Sequence, residues 1–337
     1  MKRKVLFAFW PLAVEWNHGI ALLSSICKQA GIDTDLSVLG DMGDFVAKLW
    51  AAQPDYVAFS MVTQHEYPHC KPFMEMAQSM GFTVLAGGVF LRRFCPPDIP
   101  ADFVCRGEGE TLPEFILGGD KALFTERQMY QGSLDDLPLP DYELFNGHPY
   151  KREISLFEDR KVIPFNTSRG CPYSCTFCEV ATQPKNIRIR QDFVKDLDYL
   201  AKKYHPDVFH IGDELTPYYN KGWMHEMQKN THQFISYVHA GIPAEKLEAL
   251  IDVGMVGCAF GVESIDQDFR NKVFKKGLSE KRLDDAIEVL QRRGIDYIHF
   301  YLTGFPGQKE TVEQTQAFAQ RLGGQHVIWN YEQLHVN

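Results

Sequence analysis

The chain has 337 residues, 45% of them apolar and 13% aromatic, which suffices for one large or two modest folded domains and is far from the composition of a disordered segment. With 44 acidic against 35 basic side chains the net charge is −9 at pH 7, and this excludes the basic footprint expected of a nucleic-acid-binding surface. The basic start MKRK leads into an apolar run too short for a secretory signal, and no run is long enough to span a bilayer, so a cytoplasmic protein without a membrane partner is expected.

The first third alternates short apolar runs with amphipathic stretches. KVLFAF (4–9) reads as a strand and IALLSSICKQAG (20–31) as a helix closed by a glycine. DYVAFS (55–60), TVLAGG (83–88) and DFVCRG (102–107) read as further strands, and GEGETLPEFIL as a helix start. This alternation predicts βαβ units in a doubly wound parallel sheet, which binds ligands beyond the carboxyl ends of its strands. Residues 119–160 are rich in proline and acid without a period and read as a linker. A second alternating pattern follows, with strands expected at 162–168, 207–212, 233–239, 257–263, 297–304 and 326–332. Six βα units make an open, partial (β/α)6 barrel. The expected division is therefore 1–118, a linker at 119–160, and 161–337.

Five of the eight cysteines are scattered among apolar neighbours and read as small core residues; Cys171, Cys175 and Cys178 fall within eight residues, just after the first strand of the second pattern. Three thiolates hold three irons of a cubane cluster and leave the fourth iron open to a ligand, whereas a closed site asks for four protein ligands. The alternative is a zinc site completed by a remote His205 or His210, against which zinc ligands usually pair as C-x2-C.

The segment TSRGCPYSCTFC (167–178), with Phe177 before the last cysteine, resembles the C-x3-C-x2-C signature of the radical S-adenosylmethionine (SAM) enzymes. The resemblance runs across residues 162–332. It implies a [4Fe–4S] cluster on Cys171, Cys175 and Cys178 whose open iron chelates SAM, and reductive cleavage of SAM to a 5′-deoxyadenosyl radical. Further motifs carry it. Gly212, Asp213 and Glu214 match the turn that receives the cofactor's ammonium group; Glu263 and Ser264, in GVES, match residues approaching ribose and carboxylate; Gly304 and Pro306 match the turn beside the adenine. Gln308 stands where relatives commonly carry Glu, a position read as structural.

Residues 4–118 resemble the cobalamin-binding domain that precedes the barrel in one large class of that family. The resemblance rests on Ser60, Met61 and Val62, on Gly87 and Gly88, and on RGEGE (106–110) with Gly107, Glu108 and Glu110. Glycines let backbone approach a nucleotide tail closely, and a serine hydroxyl can bond a dimethylbenzimidazole ring. When Gly19 is matched to the last residue of the family's DxHxxG motif, Val14 and Trp16 stand where Asp and His would be, so no histidine from that position reaches cobalt. His18 is the possible substitute or a polar loop residue, and Trp16 either packs on the lower corrin face or belongs to the core.

The implied function is a cobalamin-dependent radical SAM enzyme that methylates an unactivated carbon of a small molecule. The alternative keeps both cofactors but performs a rearrangement, ring contraction, cyclisation or heteroatom exchange. A small electron donor such as flavodoxin or ferredoxin is the implied partner. Because the chain ends soon after the sixth strand, a compact substrate is expected. Tyr218 and Tyr219 either line the substrate pocket or pack on a helix face; His65, Tyr67 and His69 read as solvated loop residues.

Overall fold

A computed structural model describes residues 2–11, 16–126, 129–146, 160–178, 180 and 186–330. Val14 and the last two residues of the sixth expected barrel strand lie outside these. The chain divides into two compact units, Met1–Glu158 and Asp159–Asn337.

In the first unit, β1 (Lys4–Phe9), β2 (Asp33–Val38), β3 (Tyr56–Ser60), β4 (Thr83–Gly87) and β5 (Phe103–Val104) form one sheet in the order β2-β1-β3-β4-β5. All pairs are parallel. The central strands are near-continuous apolar runs, as strands covered on both faces must be. The helices are α1 (His18–Gln29), α2 (Met42–Ala52), α3 (Tyr67–Ser79) and the short α4 (Val89–Arg93), α5 (Leu112–Ile116) and α6 (Ala122–Thr125). Leu6, Ala8, Phe45, Leu49, Val57, Phe59, Val84 and Ala86 close a core between α2, α3 and the sheet. The strand order reverses between β1 and β3, and their carboxyl ends are where such sheets take ligands.

Part of the stretch read as a linker is structured. Tyr142 and Phe145 are fully buried, Asp141 accepts from Ser24 Oγ and pairs with Lys28 at 2.6 Å, and its own N–H donates to the Ala21 carbonyl. Proline and acid there encode a strap fastened along α1 by side chains, which a search for periodicity does not detect.

The second unit holds β6 (Val162–Phe165), the short antiparallel pair β7 (Ser168–Arg169) and β8 (Arg188–Ile189), then β9 (Val208–Ile211), β10 (Phe234–Tyr237), β11 (Met255–Glu263), β12 (Asp296–Thr303) and β13 (Gln325–Asn330). The six long strands are parallel and lie side by side in chain order, an open (β/α)6 sheet. Helices α7 (Phe193–Tyr204), α8 (Lys221–Met227), α9 (Ala244–Asp252), α10 (Gln267–Lys272), α11 (Glu280–Arg293) and α12 (Val312–Leu322) connect them. α11 shows why they form: Ser279 caps its N-terminus, arginines occupy its last turn, Gly294 closes it in a left-handed conformation, and Leu283, Ile287 and Leu290 recur on one face. Among the described residues no helix is long and apolar enough to cross a membrane.

Candidate functional site

The cysteine loop leaves the carboxyl end of β6 and is pinned at both limbs. On the first limb, the N–H and hydroxyl of Thr167 donate to Asp213 at 2.7 and 2.6 Å, and those of Ser168 at 2.9 and 2.7 Å. The Trp223 indole donates to the Thr167 hydroxyl at 2.7 Å, and the Gly170 N–H donates to Glu214 at 3.0 Å. On the second limb, the Thr176 N–H donates to the Phe274 carbonyl and its hydroxyl to the Val273 carbonyl at 2.8 Å. Phe177 meets the Phe274 ring edge-on with centroids 5.2 Å apart. Between the limbs Tyr173 stacks on His239, ring centroids 4.3 Å apart and planes within 10° of parallel.

A buried cation lies beside this loop. Lys276 is 9% exposed and its ammonium pairs with Glu263 Oε1 at 2.9 Å. Burial opposes that charge, but Glu263 and the nearby Cys175 and Cys178 thiols hold the Lys276 pKa above its ordinary value. Two features make room for the pair. Glu263 adopts a left-handed backbone (φ 73°), and a Cβ on Gly261 would lie 1.7 Å from Glu263 Oε1, so only glycine fits at 261. The segment carrying Lys276 is itself clasped. The fully buried Arg270 donates to the carbonyls of Ser264 (2.8 Å) and Leu278 (3.1 and 3.2 Å), and His239 Nε2 bonds the Lys276 carbonyl at 2.9 Å. His239 Nδ1 accepts from the Gly241 N–H, so the ring is neutral with its proton on Nε2; burial pushes its pKa down to about 4.

In the first unit, the loops at the carboxyl ends of β3 and β4 interlock. The Met61 N–H donates to the Gly87 carbonyl at 2.9 Å, and the Phe90 N–H to the Met61 carbonyl. Gly88 has φ 108°, and a Cβ there would lie 2.2 Å from the Met61 oxygen. Gly88 thus has a packing need of its own, whereas a Cβ on Gly87 would meet only the Cys105 Cβ at 3.4 Å. Val62 is 37% exposed at the loop tip, and Thr63 Oγ1 is buried without a hydrogen-bond partner.

Two family models match: the radical SAM superfamily over residues 165–319 and the B12 binding domain over residues 15–116. The chain carries a radical SAM domain and, ahead of it, a B12-binding domain. The chain is 26% identical over 211 residues to the cytidylyl-2-hydroxyethylphosphonate methyltransferase of Streptomyces wedmorensis, covering 55% of this chain and 38% of that protein. It is 25% identical over 370 residues to the anaerobic magnesium-protoporphyrin IX monomethyl ester cyclase of Cereibacter sphaeroides, covering 92% and 56%. The chain therefore spans about half or less of the length of these relatives. The fold matches the radical SAM methyltransferase TsrM of Kitasatospora setae, solved with cobalamin and a [4Fe–4S] cluster, with a TM-score of 0.73 and 16% identity over 98% of this chain and 75% of that one.

The cofactors of this radical SAM chain are a [4Fe–4S] cluster, SAM and cobalamin. Its residues fit them. Burial pushes Cys171 up to about 11 and raises Cys175, so these thiols give up their protons only to a cationic partner, as iron is. Among the described residues no three His, Cys, Asp or Glu side chains converge as ligands of one ion, a convergence that the three separate irons of a cubane do not require. In the first unit, the orphaned, buried Thr63 hydroxyl lies next to the exposed Val62 in the loop at the carboxyl end of β3, the end where such a sheet takes its ligand.

Several site residues expected from the sequence have other duties in this structure. Asp213, matched to the ammonium-receiving turn, is fully buried and already accepts four hydrogen bonds; burial pushes its pKa up to about 7 despite them. Gly212 is held by Asn166, which donates to its carbonyl at 2.9 Å. Ser264 is 1% exposed and donates to Glu310. Gly304 and Pro306 form the turn after β12, closed by Gln308, which accepts from the Phe305 N–H and donates to the Leu302 carbonyl and to Glu310. A glutamate at 308 would lack those two donations. Trp16 is 8% exposed and stacks on Tyr142 and Phe145, the core alternative of the two expected. His18 Nδ1 bonds the Tyr142 hydroxyl at 2.9 Å, and Gly19 lies in the first turn of α1. Ser60 receives the side-chain amide of Asn17. Gly107 and Glu108 are buried, with Glu108 accepting from the Tyr130 N–H at 2.8 Å, and Glu110 sits in a short 3-10 turn. Lys276, His239 and Arg270 had no signal in the sequence beyond single charged or polar letters, His239 at the end of an expected strand and the other two between strands.

Proposed function

We propose that this chain is a cobalamin-dependent radical SAM methyltransferase that acts on an unactivated carbon of a small molecule. The observation that carries the reading is a three-thiol loop pinned at both limbs beside a buried lysine, in a chain that also carries a B12-binding sheet. When bound, the cluster and SAM supply a reducing electron and a cleavable sulfonium, and cobalamin a transferable methyl group.

The chain's residues bind, orient and exclude water. Cys171, Cys175 and Cys178 hold three irons. Glu214, half-buried with one oxygen on Gly170, receives the SAM ammonium in place of the saturated Asp213. Lys276 offers its charge to the carboxylate, with Glu263 fixing its position. Phe177, Gly304 and Pro306 flank the adenine, and Ser264 acts through Glu310. In the other unit Ser60, Val62, Gly87, Gly88, Gly107, Glu108 and Glu110 form or support the cobalamin edge, with Trp16, His18 and Gly19 supporting it from the start of α1. The working division is 1–118 for cobalamin and 161–337 for SAM; a flavodoxin- or ferredoxin-type donor supplies electrons in the cytoplasm.

The test is anaerobic reconstitution with iron, sulfide, cobalamin and SAM, followed by incubation with candidate small molecules. Gain of one CH2 in the product, with S-adenosylhomocysteine and deoxyadenosine as by-products, supports methyl transfer. Deoxyadenosine without methyl gain overturns it and favours the second reading, a non-methylating reaction, supported by the cyclase relative aligned over 92% of the chain.

A further inference from the structure

The residue that closes the loop after β3 is a carboxylate turned away from water. Glu66 ends a 3-10 turn, Gln64–Glu66, whose first two residues are exposed, yet Glu66 itself is 3% exposed. Its Oε2 accepts from the Val62 N–H at 2.6 Å, and its own N–H donates to the Thr63 carbonyl. The other side of the loop is locked by the Met61–Gly87 bond and by Gly88 pressed against Met61.

We propose that Glu66 is a positioning residue for cobalamin: its carboxylate fixes the backbone of Val62 and Thr63 and so presents the loop tip to the cofactor. This rests on the reading of residues 1–118 as a cobalamin site. Three observations support it. Glu66 precedes α3 but makes no side-chain cap to it, so capping is not its task. Burial pushes its pKa up to about 7, against the pull of the Val62 amide, so the fold bears a cost for keeping a carboxyl inside. The side chain it leaves facing outward at the loop tip is Val62, 37% exposed, and next to it the Thr63 hydroxyl is buried without a hydrogen-bond partner.

The experiment uses the full chain and hydroxocobalamin. Affinity is read by absorbance titration, with circular dichroism as the folding control and iron content as the control for the other unit. Glu66→Ala leaves the Val62 amide without an acceptor and weakens cobalamin binding about tenfold, from the loss of one buried hydrogen bond to a carboxylate. Glu66→Asp withdraws the carboxylate and weakens it several-fold, whereas Glu66→Gln keeps an acceptor at the right reach and restores affinity to within about threefold. Iron content is unchanged in all three. A folded Glu66→Ala protein that binds as tightly as the wild type overturns the inference alone; if that variant does not fold, equal affinities of the Asp and Gln variants overturn it. Wild-type protein that binds no cobalamin overturns the underlying reading as well.

Discussion

Replacing Lys276 with methionine strips the partner from a largely buried carboxylate. The two side chains are 11% and 9% exposed and 2.9 Å apart. At an effective dielectric near 20 their attraction is about 6 kcal/mol, most of it offset by the desolvation of both ions. Removing one partner leaves the other desolvated and uncompensated, a loss of about 3–5 kcal/mol, which is a large share of the roughly 5–15 kcal/mol that holds a domain together. Lys276→Met should therefore lower the urea midpoint of the second unit sharply. Lys276→Met with Glu263→Leu should recover most of that loss, since the buried charge is gone. Gly261→Ala should resemble the single variant, because its Cβ occupies the place of Glu263 Oε1. The assay is anaerobic denaturation of the metal-free protein at neutral pH, followed by circular dichroism. A Lys276→Met protein within about 1 kcal/mol of wild type, or a double variant no better than the single, would refute the reasoning.

Three further predictions concern the same unit. Asp213→Ala leaves the Thr167 and Ser168 amides without an acceptor and should cost about 2–6 kcal/mol, with less iron retained after reconstitution; Asp213→Asn keeps one acceptor for those amides and should cost distinctly less. Trp223→Phe removes one buried donor to Thr167 and should cost about 1 kcal/mol in a urea titration. His239 has a folded pKa of about 4 against 6.5 for an ordinary histidine, so the unfolded chain takes up its proton first. Its contribution is complete above pH 6.5 and is lost as pH falls toward 4, by about 3 kcal/mol over that window. His239→Gln should flatten that acid limb when denaturation midpoints are compared across pH, and an unchanged slope would contradict the assignment.

Much of the fold was legible because its strands are apolar enough to be read as runs. All six barrel strands and four of the five strands of the first sheet correspond to segments marked in the sequence. The missed one, β2, is DTDLSV, a polar strand at the sheet edge that pairs on one side only, so it carries no apolar run. The cysteine triplet was legible because its three thiols fall within eight residues of the chain. The Glu263–Lys276 pair, the His239 stack and the Arg270 clasp were not, because each joins residues on different elements through one side chain. Asp213 shows the opposite case: its motif lies at the end of β9 as expected, but the backbone and hydroxyl donors that fill its oxygens come from another segment and leave no mark in the motif.

The most direct test of the central claim is electron paramagnetic resonance of the anaerobically reconstituted, reduced chain before and after SAM is added, with metal content measured on the same sample. The account predicts about four irons per chain and a cluster signal that changes when SAM binds the open iron. Zinc in that position, or an iron signal indifferent to SAM, would contradict it.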